Sequence, residues 1–78
     1  IKYPTISQET GSQGKVIVQF VVDKDGTISN PEVVRGVDPY LDKEAIRVIS
    51  SMPKWTPGVQ NGKKVRVKFT VPVSFRLQ

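Results

Sequence analysis

Cysteine and histidine are both absent from this chain of 78 residues. Without cysteine there is no disulfide staple and no thiolate nucleophile. Without histidine the commonest general base and metal ligand is missing, and a serine–histidine–aspartate site is excluded within the chain. Cysteine-free proteins occur in reduced and oxidised compartments alike, so this absence does not locate the chain. No apolar run is long enough to span a bilayer, which takes about 18 residues or more. Glycine-rich phosphate motifs, internal repeats and low-complexity segments are missing too. No signal peptide is visible and Ile1 is not an initiator methionine, so residues 1–78 read as one excised domain of a longer protein. A chain this short buries only roughly 60–65% of the surface its unfolded form exposes, which leaves a thin core and no deep enclosed site.

What is present is ordinary for a folded domain: 37% apolar and 8% aromatic residues. The net charge of +5 is unevenly placed. Residues 1–53 carry all seven acids and sum to −1, whereas residues 54–78 carry six cations, no acid and sum to +6. A basic stretch of this kind suits a nucleic acid, a membrane surface or the solvated face of a sheet.

Residues 15–22, KVIVQFVV, are β-branched and aromatic and read as a strand. Val16, Val18, Phe20 and Val22 share one face, and Ile17 and Val21 the other, so the strand belongs in the middle of a sheet. Asp23-Lys24-Asp25-Gly26 is a turn, and Thr27 to Arg35 is the return strand. Pro31 cannot donate a ladder hydrogen bond, so that strand is at an edge or broken there. Asp38 caps a helix whose first position takes Pro39. Leu41, Ala45, Val48, Ile49 and Met52 form its apolar stripe, and Pro53 ends it. Residues 53–64 read as a loop in which Trp55 lids the core. Residues 65–77 alternate apolar and polar throughout and read as one long edge strand, bent near Pro72 or overhanging its neighbours. Thr5 to Thr10 has room for one helical turn. The expected fold is α+β: a three-stranded antiparallel sheet, the first strand central, with one main helix on one face, in the order strand, strand, helix, strand.

Catalysis is not expected. Asp23 and Asp25 are turn residues, Asp38 is a cap, and no carboxylate pair stands out as an acid–base couple. Asp-Lys-Asp-Gly resembles half of a calcium loop, but no glutamate closes a loop of twelve, so neither a metal nor a cofactor is expected. Nucleic-acid binding lacks stacking aromatics among the cations, because Phe69 and Phe75 fall on the apolar face. Two readings of the last strand remain: a solvated face whose lysines discourage aggregation, and an edge that accepts a strand from a partner.

The chain resembles the C-terminal domain of the TonB-type energy transducers of Gram-negative bacteria. The resemblance spans essentially all residues. It is carried by Tyr3-Pro4, then Gly14-Lys15-Val16 with Val18, Phe20 and Asp23-Lys24-Asp25-Gly26, then Val34-Arg35-Gly36 and Asp38. It continues through Leu41-Asp42-Lys43-Glu44-Ala45, Met52-Pro53-Lys54-Trp55-Thr56-Pro57-Gly58 and Gly62-Lys63, and ends with Val71-Pro72-Val73-Ser74-Phe75. It implies a periplasmic, non-enzymatic domain joined to an inner-membrane helix and, through it, to proton-driven motor proteins. Such a domain takes the TonB box peptide of an outer-membrane transporter as an added strand and pulls, for uptake of nutrients such as iron-siderophores. Carried onto this chain, the peptide-binding residues are Val65, Arg66, Val67, Lys68, Phe69, Thr70, Val71, Pro72 and Val73, with Tyr3 and Pro4 flanking the peptide. The resemblance also implies a short helix after Tyr3-Pro4, from which the polar, glycine-bearing stretch Ser7 to Gly14 departs. A homodimer formed by exchange of the long strand is a further expectation. Two alternatives stand beside this reading: a sensing module of a membrane metallopeptidase-type receptor with the same fold, and a basic nucleic-acid-binding domain.

Overall fold

The computed structural model describes residues 2–77. A short helix α1 (Thr5–Glu9) leads into β1 (Gly14–Val22), which turns back into β2 (Ile28–Arg35). Helix α2 (Pro39–Ser50) follows. A hairpin of β3 (Gly58–Gln60) and β4 (Lys63–Val65) then precedes β5 (Val67–Phe75). The main sheet is three-stranded and antiparallel in the order β2-β1-β5, with β1 central as its two apolar faces require.

One face of the sheet is dry. Val16, Val18, Phe20 and Val22 of β1 are fully buried, and Val73 and Phe75 of β5 join them. Leu41, Ala45 and Ile49 of α2 close this core from above. Val48 and Met52, expected on the same stripe, are only partly buried. Asp38 caps α2 as expected, its Oδ1 accepting the Leu41 N–H at 2.7 Å. Trp55 closes the far end of the core, its ring 5.0 Å from Phe20 and 5.4 Å from Phe69.

The pairing of β1 with β5 is regular, from Gly14 opposite Phe75 to Val22 opposite Val67. The pairing with β2 slips twice. The first slip falls where Asn30 and Pro31 stand against Phe20 alone, and Asn30 takes a positive φ of 50° there. Pro31 thus sits in a bulge, where its missing N–H breaks no ladder bond.

Two expectations are corrected, for the last strand and for the loop before it. The single strand over residues 65–77 is divided at Arg66, because β1 ends at Val22 and everything before Val67 has lost its neighbour. Those earlier residues pair instead with β3. Pro72 causes no bend; it lies opposite Ile17 in unbroken register, and Leu77 falls beyond β5, 38% exposed. The loop over residues 53–64 contains this hairpin, turned by Asn61 (φ 53°) and Gly62 (φ 75°), the left-handed pair a two-residue turn demands. The helical turn for which Thr5 to Thr10 has room forms as α1 despite its polar sequence. Its Ser7 is buried and donates its hydroxyl to Asp38 Oδ2 at 3.0 Å, so a tertiary contact supplies what a five-residue helix lacks alone.

Candidate functional site

Which backbone groups of β5 remain unpaired follows from register and two flanking bonds. The Asp23 N–H donates to the Thr27 carbonyl at 2.8 Å, so odd-numbered residues of β1 turn towards β2 and even-numbered ones towards β5. Each even β1 residue faces an odd β5 residue. The Leu77 N–H, also odd, reaches back to Gln13 Oε1 on the β1 side at 3.2 Å. Val67, Phe69, Val71, Val73 and Phe75 therefore bond to β1. Lys68, Thr70, Pro72 and Ser74 turn their backbone away from the sheet, where no described strand lies. Pro72 is placed where its missing N–H breaks no existing bond.

The hairpin extends this parity. In a two-residue turn the flanking residues, Gln60 and Lys63, share hydrogen bonds, so Lys63 and Val65 face β3 while Lys64 faces outward. An unpaired backbone edge thus runs along β5 and is continued in parity by β4.

Of the residues expected at a peptide site, Val67, Lys68, Phe69, Thr70, Val71, Pro72 and Val73 lie together in β5. Val65 belongs to β4, and Arg66 stands in the break, where its Nε donates to Asp23 Oδ1 at 2.8 Å. Tyr3 lies at the opposite end of β5, its ring edge-on to Phe75 at 5.6 Å and its hydroxyl donating to the Ser12 carbonyl. Pro4 is half-buried at the head of α1. The helix-side surface of β5 is graded. Val73 and Phe75 are buried, whereas Val67, Phe69 and Val71 are only partly covered, because α2 lies over β2 and β1.

Two features at the hairpin end of this edge were not read from the sequence. The Asp23–Arg66 pair was hidden because Asp23 reads as a turn residue and Arg66 as one polar position among several. The hairpin did carry a signal, Asn61-Gly62 between extended segments.

Charge is organised elsewhere as well. Glu44 is 9% exposed and accepts from Arg47 Nε and Nη2 at 2.7 Å each and from the Lys2 backbone N–H at 2.8 Å. Above all the Arg47 hydrogen bonds hold its carboxyl down, at about 2. Burial works against the charge on Asp38, but the Leu41 N–H and the hydroxyls of Ser12 and Ser7 hold its carboxyl below the usual range. Among the described residues no three metal-ligating side chains cluster, and no helix is long and apolar enough to cross a membrane.

A small α+β domain, with a three-stranded antiparallel sheet covered on one face and edged by β2 and β5, is the class these features define. The family model for the C-terminal region of the Gram-negative bacterial TonB protein matches residues 1–77. The chain belongs to that family. It is 31% identical over 78 residues to protein TonB of Pseudomonas aeruginosa, covering 97% of this chain and 22% of that protein. It is 35% identical over 74 residues to protein TonB of Haemophilus influenzae, covering 90% of this chain and 27% of that protein. The chain thus spans about a quarter of the length of these relatives. The fold is similar to two solution structures of the Helicobacter pylori TonB C-terminal domain. One has a TM-score of 0.75 at 24% identity, covering 99% of this chain and 69% of that one. The other has a TM-score of 0.70 at 25% identity, covering 95% and 77%.

Proposed function

We propose that this chain is the periplasmic, partner-gripping domain of a TonB-type energy transducer, and that it does no chemistry of its own. Its partner is the TonB box peptide of an outer-membrane transporter. The peptide adds as a strand along β5, with Val67 to Val73 as the seat, Val65 and Arg66 at one end and Tyr3 and Pro4 beyond the other. The observation that carries this reading is the unpaired edge of β5 in a member of this family. A strand added there gains backbone hydrogen bonds at Lys68, Thr70 and Ser74, each worth about 0.5–1.5 kcal/mol net. The parent protein is longer and anchored in the inner membrane, where motor proteins pull on it through the segment upstream.

The test is a titration of TonB-box peptide into isotope-labelled chain, followed by backbone amide shifts. Shifts concentrated on Lys68 to Ser74 are expected; shifts confined to α2 would overturn the reading. Thr70→Pro is the matched variant. It removes an outward N–H and no bond to β1, so it weakens peptide binding by roughly 3- to 10-fold while the dichroism spectrum is kept. A proline at Val67 or Phe69 would instead break the sheet, and so tests stability rather than binding.

A further inference from the structure

The face of the sheet turned away from α2 is the other large surface of the molecule. Ile17 and Val21 of β1 lie on it, half-buried. Residues opposite one another on paired strands share a face. Arg35 and Pro72 therefore lie beside Ile17, and Lys68 beside Val21. Lys15 stands at one end of this face, opposite Ser74, and Arg76 continues the same parity past the end of β5. The three strands of the sheet contain one carboxylate, Glu32, which lies opposite Gln19 on this face. Among the described residues the ion pairs are Arg47–Glu44 and Arg66–Asp23, so Lys15, Arg35, Lys68 and Arg76 have no carboxylate partner. On the helix side the charge is balanced, since α2 carries Asp42 and Glu44 against Lys43 and Arg47.

We infer that this open sheet face docks on the surface of an anionic phospholipid bilayer, with α2 turned away from the lipid. The contact uses side chains on the face. It leaves the outward backbone of β5, which lies in the plane of the sheet, free, so it is independent of strand addition.

Three arguments support it. The first is spacing. From Lys15 to Val21, beside Lys68, the face runs for six residues of β1, about 20 Å. One small anion cannot bridge that distance, whereas a surface studded with phosphates meets every cation at once. The second is local shape. Lys15, Ile17, Arg35, Gly36 and Val37 line a hollow of about 490 Å³ that sets two cations beside apolar walls, as a lipid headgroup requires. Asp42, close to Gly36, is already accepting the Val37 N–H at 2.9 Å. The third is the lack of aromatics on this face. Tyr3 packs on Phe75, Phe20, Trp55 and Phe69 pack together at the core, and Tyr40 belongs to α2. Single-stranded nucleic acid would want stacking platforms here, and a protein partner an aromatic anchor at the centre.

The experiment sediments the chain with vesicles of phosphatidylcholine containing rising fractions of phosphatidylglycerol, at about 0.1 M salt and above. Binding is expected to rise with phosphatidylglycerol and to fall with salt. Each cation near an anionic surface contributes roughly five-fold, so Lys15→Gln/Arg35→Gln is expected to lower partitioning about 25-fold. Lys43→Gln/Lys54→Gln makes the same change in net charge on the other side of the molecule. The molecule is 19–20 Å across its short axes, and the Debye length at 0.1 M salt is about 10 Å, so this pair changes partitioning by less than about 3-fold. Gadolinium-bearing lipid in the vesicles is expected to broaden the amides of Ile17, Gln19 and Thr70 and to spare those of α2. Equal losses in the two double variants, broadening centred on α2, or no sedimentation with anionic vesicles would each overturn the inference. Binding of a single-stranded oligonucleotide without binding of vesicles would overturn it as well. Dichroism checks the fold of each variant, and Lys15→Gln/Arg35→Gln is expected to bind TonB-box peptide as before, so failure here is distinguishable from failure of strand addition.

Discussion

Asp38 serves two elements at once. Its Oδ1 caps α2 at the Leu41 N–H, and its carboxylate takes the hydroxyl of the buried Ser7. Removing it orphans both donors. Asp38→Ala is expected to lower stability by about 1–2 kcal/mol, measured by chemical denaturation, whereas Asp38→Asn keeps most of the cap. Only half of this role was legible in sequence. Asp-Pro before an apolar stripe announces a cap, but nothing in the polar run after Pro4 says that Ser7 will be carried onto it.

Between elements, the turn after β1 is an anchor as well as a connection. Gly26 has a φ of 88°, its carbonyl accepts the Trp55 N–H at 2.9 Å, and a Cβ at that position would collide with the Trp55 carbonyl. This turn ties the loop before the hairpin to the sheet and so helps set where β4 leaves off and β5 begins. Gly26→Ala combines left-handed backbone strain with that collision. It is expected to destabilise the chain by about 2 kcal/mol and to red-shift the emission of Trp55, the only tryptophan, before global unfolding. The alternation across residues 65–77 says strand but is silent on what lies alongside. Length of a strand is decided by its neighbour, and here β1 stops at Val22.

For the molecule as a whole, acid is the revealing perturbation. The Glu44 carboxyl falls from an ordinary 4.5 to about 2 in the fold, chiefly through the Arg47 hydrogen bonds. The unfolded chain therefore binds this proton more readily. The stability contributed is full above about pH 4.5 and is lost as pH falls towards about 2. Glu44→Gln is expected to flatten that part of the stability–pH curve, read from Trp55 emission in urea at several pH values. The same contact ties the Lys2 backbone to α2. The molecule is elongated, 49 Å by 20 Å by 19 Å, a shape set by the strands and the projecting hairpin.

By itself the sequence determined the strand–strand–helix–strand order, the central place of β1, the cap and stripe of α2, and the family. Each rests on local periodicity, turn chemistry or the order of short motifs, and those are written in neighbouring residues. Only the tertiary structure decided the break at Arg66, the docking of α1 through Ser7, the grading of β5 from open to sealed, and which backbone groups face outward. Each depends on register between distant segments, and register is a property of two strands that neither one carries alone. The same register leaves the outward backbone groups of β5 in a row, with charge at one end.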